Sequence, residues 1–384
     1  MKNNDAVRIY EELGATPVIN AMGPKTTLGG SRLSPGVRAA MDAANHHFVD
    51  MEELLEESGK VIANMAGVEA ALVTPGCAAA IALGAAVCMA GDDPEKSEQL
   101  PDTTGMKDEF IVQKRRRYKY DRCVTIFGGK LVEVGDEENT TREQLRAAIT
   151  DKTAAIHHLA PAEKEFGSTI GRETLPLAEI IEIAKEFDVR VIVDAATKVY
   201  PLNELHKYTD MGADFACYGG KYFGSCNSTG LMFGRKELID AALLHSFIGF
   251  ETSQYRTIGR PLKLDRQEIV GCVVALREWL SMDHEARASE QRRKGQVIQC
   301  ALKDNPHVTM EWDEGFATLN SGLRVTIDEK ALGTTAAKVT QSLAEGRPSI
   351  IVQGSGNPFY LAVSHLGDGE EEIVAERMKA LLTG

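Results

Sequence analysis

Short apolar segments alternate with helix-forming segments through the middle of the chain. Seven of these segments are predicted to be strands, at residues 71–73, 110–112, 130–134, 154–159, 189–193, 215–218 and 230–233. Most of them lead into a stretch with the length and composition of a helix. Strands that alternate with helices build a mostly parallel sheet with both faces covered. The sequence therefore predicts an α/β fold with a mostly parallel seven-stranded sheet covered by helices.

The pattern changes after the last of these strands. A long helical stretch over residues 265–302 leads to further strands and a closing amphipathic helix at 370–382, which predicts a smaller α+β domain. A chain of 384 residues is long enough to bury a core in each domain. The expected division is an N-terminal segment, 1–40, that packs on the small domain, a large domain, 41–275, and a small C-terminal domain, 276–384.

Two charged residues stand at the ends of predicted strands. Asp194 ends the fifth strand, and the small residues Ala195 and Ala196 after it leave room for a flat ring. Lys221 follows the sixth strand, directly behind two glycines. A lysine amine can hold pyridoxal 5'-phosphate (PLP) as a Schiff base, and a carboxylate can keep the pyridine nitrogen protonated. Either residue alone has an ordinary explanation, as a surface lysine or a capping carboxylate, but their order indicates a PLP site with Lys221 and Asp194 as its catalytic residues.

A glycine turn follows the first predicted strand. Gly76 ends the turn, and a helix of small residues begins with Cys77 and Ala78. Free N–H groups at the start of a helix bind phosphate, and small residues let the backbone approach it closely. Such turns occur in many α/β proteins, so the prediction of a phosphate site depends on Asp194 and Lys221 as well.

Charge and motif content exclude several other classes of function. A net charge of −13 argues against a nucleic-acid surface, although Lys114–Arg117 is a local basic run. The histidine pairs at 46–47 and 157–158 have no acidic or cysteine partners at ligand spacing, so we expect no metal site. The chain contains no GxxxxGK[ST] or GxSxG segment.

The cysteines and the hydropathy of the chain indicate its cellular compartment. The seven cysteines are odd in number, widely spread and without a CxxC pair, which is typical of a reduced, cytoplasmic chain. The most apolar stretch, residues 78–90, is too short to span a bilayer, so we expect no membrane association.

Segments along almost the whole chain carry a family resemblance. They are Val18–Gly23, Leu28–Ser31, Phe48–Leu54, Leu100–Gly105, Val193–Ala196, Gly219–Lys221 and Gly259–Lys263. With these segments the chain resembles the PLP-dependent fold type I enzymes of the selenocysteine synthase-like group, and within it the D-glucosaminate-6-phosphate ammonia-lyase branch. The resemblance implies a fold type I aminotransferase-like architecture.

The resemblance also implies roles for individual residues. Lys221 would bond to PLP and Asp194 would pair with the pyridine nitrogen. Gly76, Cys77 and Ala78 would cradle the phosphate, and Ala196 would lie beneath the ring. Enzymes of this group form homodimers or larger homo-oligomers whose active sites draw residues from two subunits.

Several positions differ from the residues usual in that branch, and three of them bear on individual contacts of the site. Tyr218 stands where serine is usual, Arg116 stands where a histidine is common, and Gln353 stands where an arginine is frequent. The phosphate contacts, the residue over the ring and the substrate carboxylate site therefore do not transfer directly to this chain.

The resulting hypothesis is an α,β-elimination that releases ammonia from a small hydroxy amino acid or amino sugar acid, possibly phosphorylated. Lys25, Arg116 and Arg260 are candidates for binding a substrate phosphate or carboxylate, or are surface and interface charges. An amino acid racemase shares the first steps, and a catalytically inactive binding protein of the same fold is a further alternative. A β-replacement transferase that acts on a charged tRNA is disfavoured by the net negative charge of the chain.

Overall fold

The computed structural model describes residues 9–160, 174–315 and 319–383. The chain divides into two compact units: a larger unit, Arg32–Ser281, and a smaller unit formed by Met1–Ser31 with Met282–Gly384. The domain boundaries predicted from the sequence lie at residues 40 and 275, and they remain a prediction. Among the described helices, none has the length and apolar character needed to cross a membrane.

The described residues form twelve strands. They are β1 (Val18–Ala21), β2 (Ala70–Thr74), β3 (Glu109–Gln113), β4 (Lys130–Val134), β5 (Thr153–Leu159), β6 (Arg190–Asp194), β7 (Phe215–Gly219), β8 (Gly230–Gly234), β9 (Val308–Asp313), β10 (Gly322–Ile327), β11 (Ser349–Val352) and β12 (Phe359–Ala362).

Fourteen α-helices lie within the described ranges. They are α1 (Pro35–Asn45), α2 (Met51–Ala66), α3 (Gly76–Ala90), α4 (Pro94–Gln99), α5 (Arg142–Ala148), α6 (Leu177–Glu186), α7 (Glu204–Met211), α8 (Lys236–His245), α9 (Phe247–Thr252), α10 (Arg266–Ser281), α11 (His284–Ala301), α12 (Glu329–Leu332), α13 (Ala336–Ala344) and α14 (Glu370–Leu382). Short 3₁₀ helices, such as Gly220–Phe223, connect some of them.

The larger unit is built on a seven-stranded sheet in the order β2-β8-β7-β6-β5-β3-β4. All neighbouring pairs are parallel except those of β8, which runs antiparallel to β2 and to β7. The predicted mostly parallel, seven-stranded sheet is confirmed. Helix α3 consists of small and apolar residues on every side and packs against β6, β7 and β8, as a fully buried helix should.

Local signals in the sequence set the helix ends. The Asp50 carboxylate caps α2 by accepting from the amides of Glu52 and Glu53 over 2.9 and 3.0 Å, and Gly67 ends the helix in the left-handed region at φ 72°. The prediction of one continuous helical stretch over 265–302 is wrong in its continuity. The stretch is divided into α10 and α11 because Asp283 accepts from the amide of Ala286 and starts a new helix.

The smaller unit contains two sheets and its own core. Strands β12, β10 and β9 form an antiparallel sheet, and β1 pairs in parallel with β11. The buried side chains of these strands meet those of α11, α13 and α14 in one apolar cluster, for example at Leu323, Val339 and Met378. The expected smaller α+β domain is therefore present.

Candidate active site

The candidate cofactor residues lie at one edge of the seven-stranded sheet. Asp194 is the last residue of β6. Lys221 lies in the 3₁₀ helix that follows β7, and Gly76 follows β2 and opens α3. Because β2, β6 and β7 run in the same direction, their carboxyl ends meet at this edge. The carboxyl edge is where open α/β sheets bind ligands.

Backbone and thiol contacts join these strand ends into one cluster. The Cys77 thiol lies 3.2 Å from the carbonyl oxygen of Cys217 and 3.5 Å from Asp194 Oδ1. The amide of Gly219 donates to the carbonyl oxygen of Ala196 over 3.0 Å. The ends of β6 and β7 therefore lie against the first turn of α3, and the segment after β6 lies against the end of β7.

The start of α3 offers backbone amides to a ligand. Gly76 has φ +84°, a left-handed conformation that suits glycine. Pro75 precedes the helix, and no side chain in the described ranges caps it. Ala78 is exposed, and Gly76 and Cys77 are half-buried. A helix start of this kind binds an anion through N–H groups and the helix dipole.

Gly230 lets the strand ends approach each other. In β8 it lies opposite Thr74 of β2 and opposite Gly219 of β7. A Cβ atom on Gly230 would lie 2.4 Å from the carbonyl carbon of Gly76 and 2.6 Å from the nitrogen of Cys77. A side chain here would push the glycine turn away from β8, so the packing around Gly76 depends on this glycine.

The Asp194 carboxylate is buried and held by donors from three parts of the chain. Oδ1 accepts from the amide of Ala196 over 3.0 Å and faces the Cys77 thiol, and Oδ2 accepts from the Tyr118 hydroxyl. Burial and the Asp194 charge raise the pKa of the Cys77 thiol and of the Tyr118 hydroxyl, so both keep their protons at neutral pH. A cationic ring nitrogen is the kind of partner that such a carboxylate favours.

Tyr118 and its neighbour His157 belong to the Asp194 cluster, and neither is recognisable from the sequence as a candidate site residue. Tyr118 lies in the connection between β3 and β4, and His157 lies in β5, the strand beside β6. The signal that points to Tyr118 is an aromatic residue just beyond the carboxyl end of a predicted strand. That signal is weak by itself, because aromatic residues are common in such connections.

Tyr218 is directed into the core of the larger unit. Its oxygen lies 3.0 Å from the carbonyl oxygens of Glu204 and Leu205 in α7, and its ring packs against Phe233. The side chain is fully buried. The tyrosine therefore anchors α7 on β7, and its hydroxyl is engaged there.

Arg116 is buried and makes structural hydrogen bonds. Its Nε donates to Thr174 Oγ1 over 2.7 Å, and one Nη donates to the carbonyl oxygen of Leu159 over 2.9 Å. Together with Tyr118 and His157 it lines a small cavity at the ends of β3 and β5. Arg116 thus lies near the Asp194 cluster, and its role toward a substrate stays a prediction.

The other two candidates for substrate binding lie in different compact units of the chain. Arg260 pairs with Glu251 over 2.5 Å and its side chain is partly exposed. Lys25 belongs to the smaller unit, where it precedes the 3₁₀ helix Thr26–Leu28. Gln353 also belongs to that unit and exchanges two backbone hydrogen bonds of 2.9 Å with Tyr360.

Buried histidines give the larger unit a pH-dependent stability. Burial lowers the pKa of His157, His158 and His245 below 6.5. The unfolded chain therefore takes up protons below about pH 6.5 that the folded chain does not, so the free energy of unfolding falls as the pH falls. We expect a loss of about 1.4 kcal/mol per pH unit for each histidine.

Urea unfolding at pH 7.5, 6.5 and 5.5, followed by circular dichroism, measures this slope. In a His158→Gln variant, the free energy of unfolding should fall less steeply with falling pH than in the unchanged protein. The difference should equal the contribution of one histidine. A midpoint that stays constant or rises between pH 6.5 and 5.5 would show that these side chains are protonated without penalty in the folded state.

The residues present at this edge fit PLP. The glycine turn, whose helix start has no side-chain cap, suits the phosphate of PLP, and Ala196 is small enough to lie against the ring. Asp194 offers a buried carboxylate to the ring nitrogen, and Lys221 offers an amine. Together with the sheet order, this arrangement defines a PLP-dependent enzyme of fold type I. The family model for aminotransferase class V matches residues 41–318, and the chain belongs to this family.

Three curated proteins are similar to the chain. A 5'-C-glycyluridine monooxygenase-decarboxylase from Streptomyces sp is 32% identical over 97% of this chain and 92% of its own. A D-glucosaminate-6-phosphate ammonia lyase from Salmonella typhimurium is 27% identical over 97% of both chains. An L-seryl-tRNA(Sec) selenium transferase from Nautilia profundicola is 25% identical over 58% of this chain and 52% of its own.

A solved structure of a D-glucosaminate-6-phosphate ammonia-lyase superposes with a TM-score of 0.83 at 26% identity, covering 98% of both chains. The resemblance to the selenocysteine synthase-like group and to the ammonia-lyase branch is confirmed by these similarities.

Proposed function

We propose that this chain is a PLP-dependent lyase that releases ammonia from a small hydroxy amino acid or amino sugar acid by α,β-elimination. The observation that carries the proposal is the similarity to D-glucosaminate-6-phosphate ammonia-lyase over 98% of both structures, with a TM-score of 0.83. The cluster of Asp194, Lys221 and the Gly76 turn supports it, because it contains the groups that this chemistry needs.

Each residue of the cluster has a defined task in the proposed reaction. Lys221 Nζ binds the cofactor and is the base that removes the proton from the substrate Cα. Asp194 holds a proton on the pyridine nitrogen, and the amides of Cys77 and Ala78 bind the phosphate. PLP, when bound, supplies an electron-accepting ring that spreads the negative charge left at Cα.

The proposed overall reaction balances without an oxidant. The proton at Cα and the hydroxyl group at Cβ leave as water, and water then adds back as the C–N bond is hydrolysed. The net result is a keto acid and one ammonia. Arg116 is proposed to contact a carboxylate or phosphate of the substrate, since a guanidinium group fits both, and Lys25 and Arg260 are proposed for the same task.

A second candidate function is an oxidative decarboxylation. The observation that favours it is the 32% identity to the Streptomyces monooxygenase-decarboxylase, which exceeds the 27% identity to the ammonia lyase. Such a reaction would consume dioxygen and release carbon dioxide, which the lyase reaction does not.

The test is a substrate screen of the holoenzyme with and without dioxygen. The substrates are hydroxy amino acids and amino sugar acids in free and phosphorylated form, and the products measured are ammonia, keto acid and carbon dioxide. The lyase proposal expects ammonia and keto acid in equal amounts with no dioxygen present. Turnover that requires dioxygen would establish the second candidate, and an inverted amino acid without ammonia would establish a racemase.

The assembly and compartment belong to the same proposal. We propose a homodimer or larger homo-oligomer with active sites shared between subunits, in line with the resemblance of the sequence. A cytoplasmic location is supported by the seven cysteines, all of which are free thiols.

A further inference from the structure

Tyr118 connects the Asp194 carboxylate to a buried histidine. Its hydroxyl group contacts Asp194 Oδ2 and lies 3.1 Å from His157 Nε2. The rings of Tyr118 and His157 are nearly parallel, with an interplanar angle of 13° and centroids 6.2 Å apart. Asp194 and His157 are only 4% exposed each, so both groups depend on protein partners for their hydrogen bonds.

The chemistry of the three groups fixes the direction of the hydrogen bonds. An ionised carboxylate only accepts, so the Tyr118 hydroxyl donates to Asp194. The tyrosine oxygen then accepts from His157, which must carry its proton on Nε2. In agreement with this, His157 Nδ1 is buried and has no hydrogen-bond partner within the described part of the chain. A neutral imidazole leaves one nitrogen as such a bare acceptor.

The other carboxylate oxygen is held from different elements. Oδ1 accepts from the amide of Ala196 at the end of β6 and faces the thiol of Cys77 at the start of α3. Without Tyr118, all donors to Asp194 among the described residues would lie on Oδ1, and the carboxylate could rotate about its bond to Cβ. Tyr118 is therefore the contact that fixes the orientation of Oδ2.

We propose that Tyr118, supported by His157, is a positioning residue that orients the Asp194 carboxylate toward the pyridine nitrogen of PLP. The inference rests on the proposed role of Asp194. Tyr118 holds its proton because burial and the neighbouring carboxylate raise the pKa of its hydroxyl, so it remains a donor over the working pH range. His157 in turn fixes the tyrosine oxygen, as outer partners orient the groups in contact with a cofactor.

The test is a double-mutant cycle on the affinity for PLP. The holoenzyme, Tyr118→Phe, Asp194→Ala and the double variant are diluted, and the released PLP is measured. Tyr118→Phe removes one oxygen atom and should weaken PLP binding about tenfold, as expected for a lost hydrogen bond to a charged group. In the Asp194→Ala background the same change should alter the affinity by less than about twofold, because the carboxylate that it orients is gone.

Two further variants separate orientation from packing. Tyr120→Phe is the matched control, since Tyr120 is nearby and exposed but belongs to neither the hydrogen-bond chain nor the cofactor cluster. It should leave the affinity unchanged. His157→Leu removes the donor behind Tyr118 and should weaken PLP binding in the same direction, with no added effect once Tyr118→Phe is present.

The outcomes distinguish this inference from the proposed function. If Asp194→Ala binds PLP as tightly as the unchanged protein, the assignment of Asp194 and the inference both fail. If Asp194→Ala weakens binding but Tyr118→Phe does not, or does so equally in both backgrounds, the inference alone is overturned. An effect confined to the background with Asp194 supports it.

Discussion

Replacing Lys221 with alanine is expected to lower turnover by at least about 1,000-fold and to let PLP leave the protein on dialysis. Two losses combine in this variant. The proposed covalent link between protein and cofactor disappears, and the proposed base for the substrate Cα proton disappears with it. The phosphate contacts proposed for the start of α3 are unaffected, so fresh Lys221→Ala protein should still bind PLP, but reversibly.

The measurement is borohydride reduction followed by peptide mapping, together with an ammonia assay. In the unchanged protein the reduced cofactor should be found on the peptide that contains Lys221. Lys236→Ala is the control, since Lys236 is an exposed lysine at the start of α8 that pairs with Asp240. Full turnover of Lys221→Ala, or a reduced cofactor on another lysine, would refute the assignment.

The carboxyl edge of the sheet explains why part of the site could be predicted from sequence. In a parallel sheet, residues just beyond strand ends share an edge, whatever their distance along the chain. Asp194 and Lys221 each follow a recognisable apolar strand, and so does Gly76. Their position at one edge of the sheet therefore follows from the strand pattern, without knowledge of any side-chain contact.

Other features could not be predicted, for reasons that lie in the tertiary structure. Residues 230–233 were predicted as a strand, but a short apolar run does not reveal that β8 runs antiparallel between β2 and β7. Tyr218 stands where serine is usual, and the sequence does not show that the packing of β7 on α7 directs its side chain into the core. The contact between Tyr118 and Asp194 depends on the path of the connection after β3, which carries no periodic pattern.

The close packing at Gly230 shows how strand direction and site geometry are linked. Since β8 is antiparallel to both neighbours, a single residue lies opposite the last residues of β2 and β7. Only a residue without a side chain fits at position 230, because a Cβ atom there would lie 2.4 Å from the carbonyl carbon of Gly76. The reversed direction of β8, which the sequence does not reveal, therefore places Gly230 beside the Gly76 turn and opposite Gly219 at the end of β7.

Asp194→Asn is expected to lower kcat at least about 100-fold, with a smaller change in KM. The amide has nearly the shape of the carboxylate but no charge, so it cannot hold a proton on the pyridine nitrogen or favour the charge that develops in the ring. It also has one acceptor oxygen, whereas donors approach the present side chain on both oxygens, from Ala196 and Tyr118. One buried donor must lose its partner, at a cost of about 1–3 kcal/mol in the free energy of unfolding.

A control variant in the same sheet separates the effect of Asp194→Asn on kcat from its effect on the free energy of unfolding. Asp214 precedes β7 at the opposite edge, where its oxygens accept from the amide of Val191 over 2.8 Å and from Arg235 over 2.9 Å. Asp214→Asn should lower stability by a comparable amount while PLP content and kcat remain unchanged. If both variants lost turnover in proportion to their stability, Asp194 would be a structural residue. A kcat of Asp194→Asn within about threefold of the unchanged enzyme would equally contradict its proposed role, because a neutral amide does not replace a charge that the reaction requires.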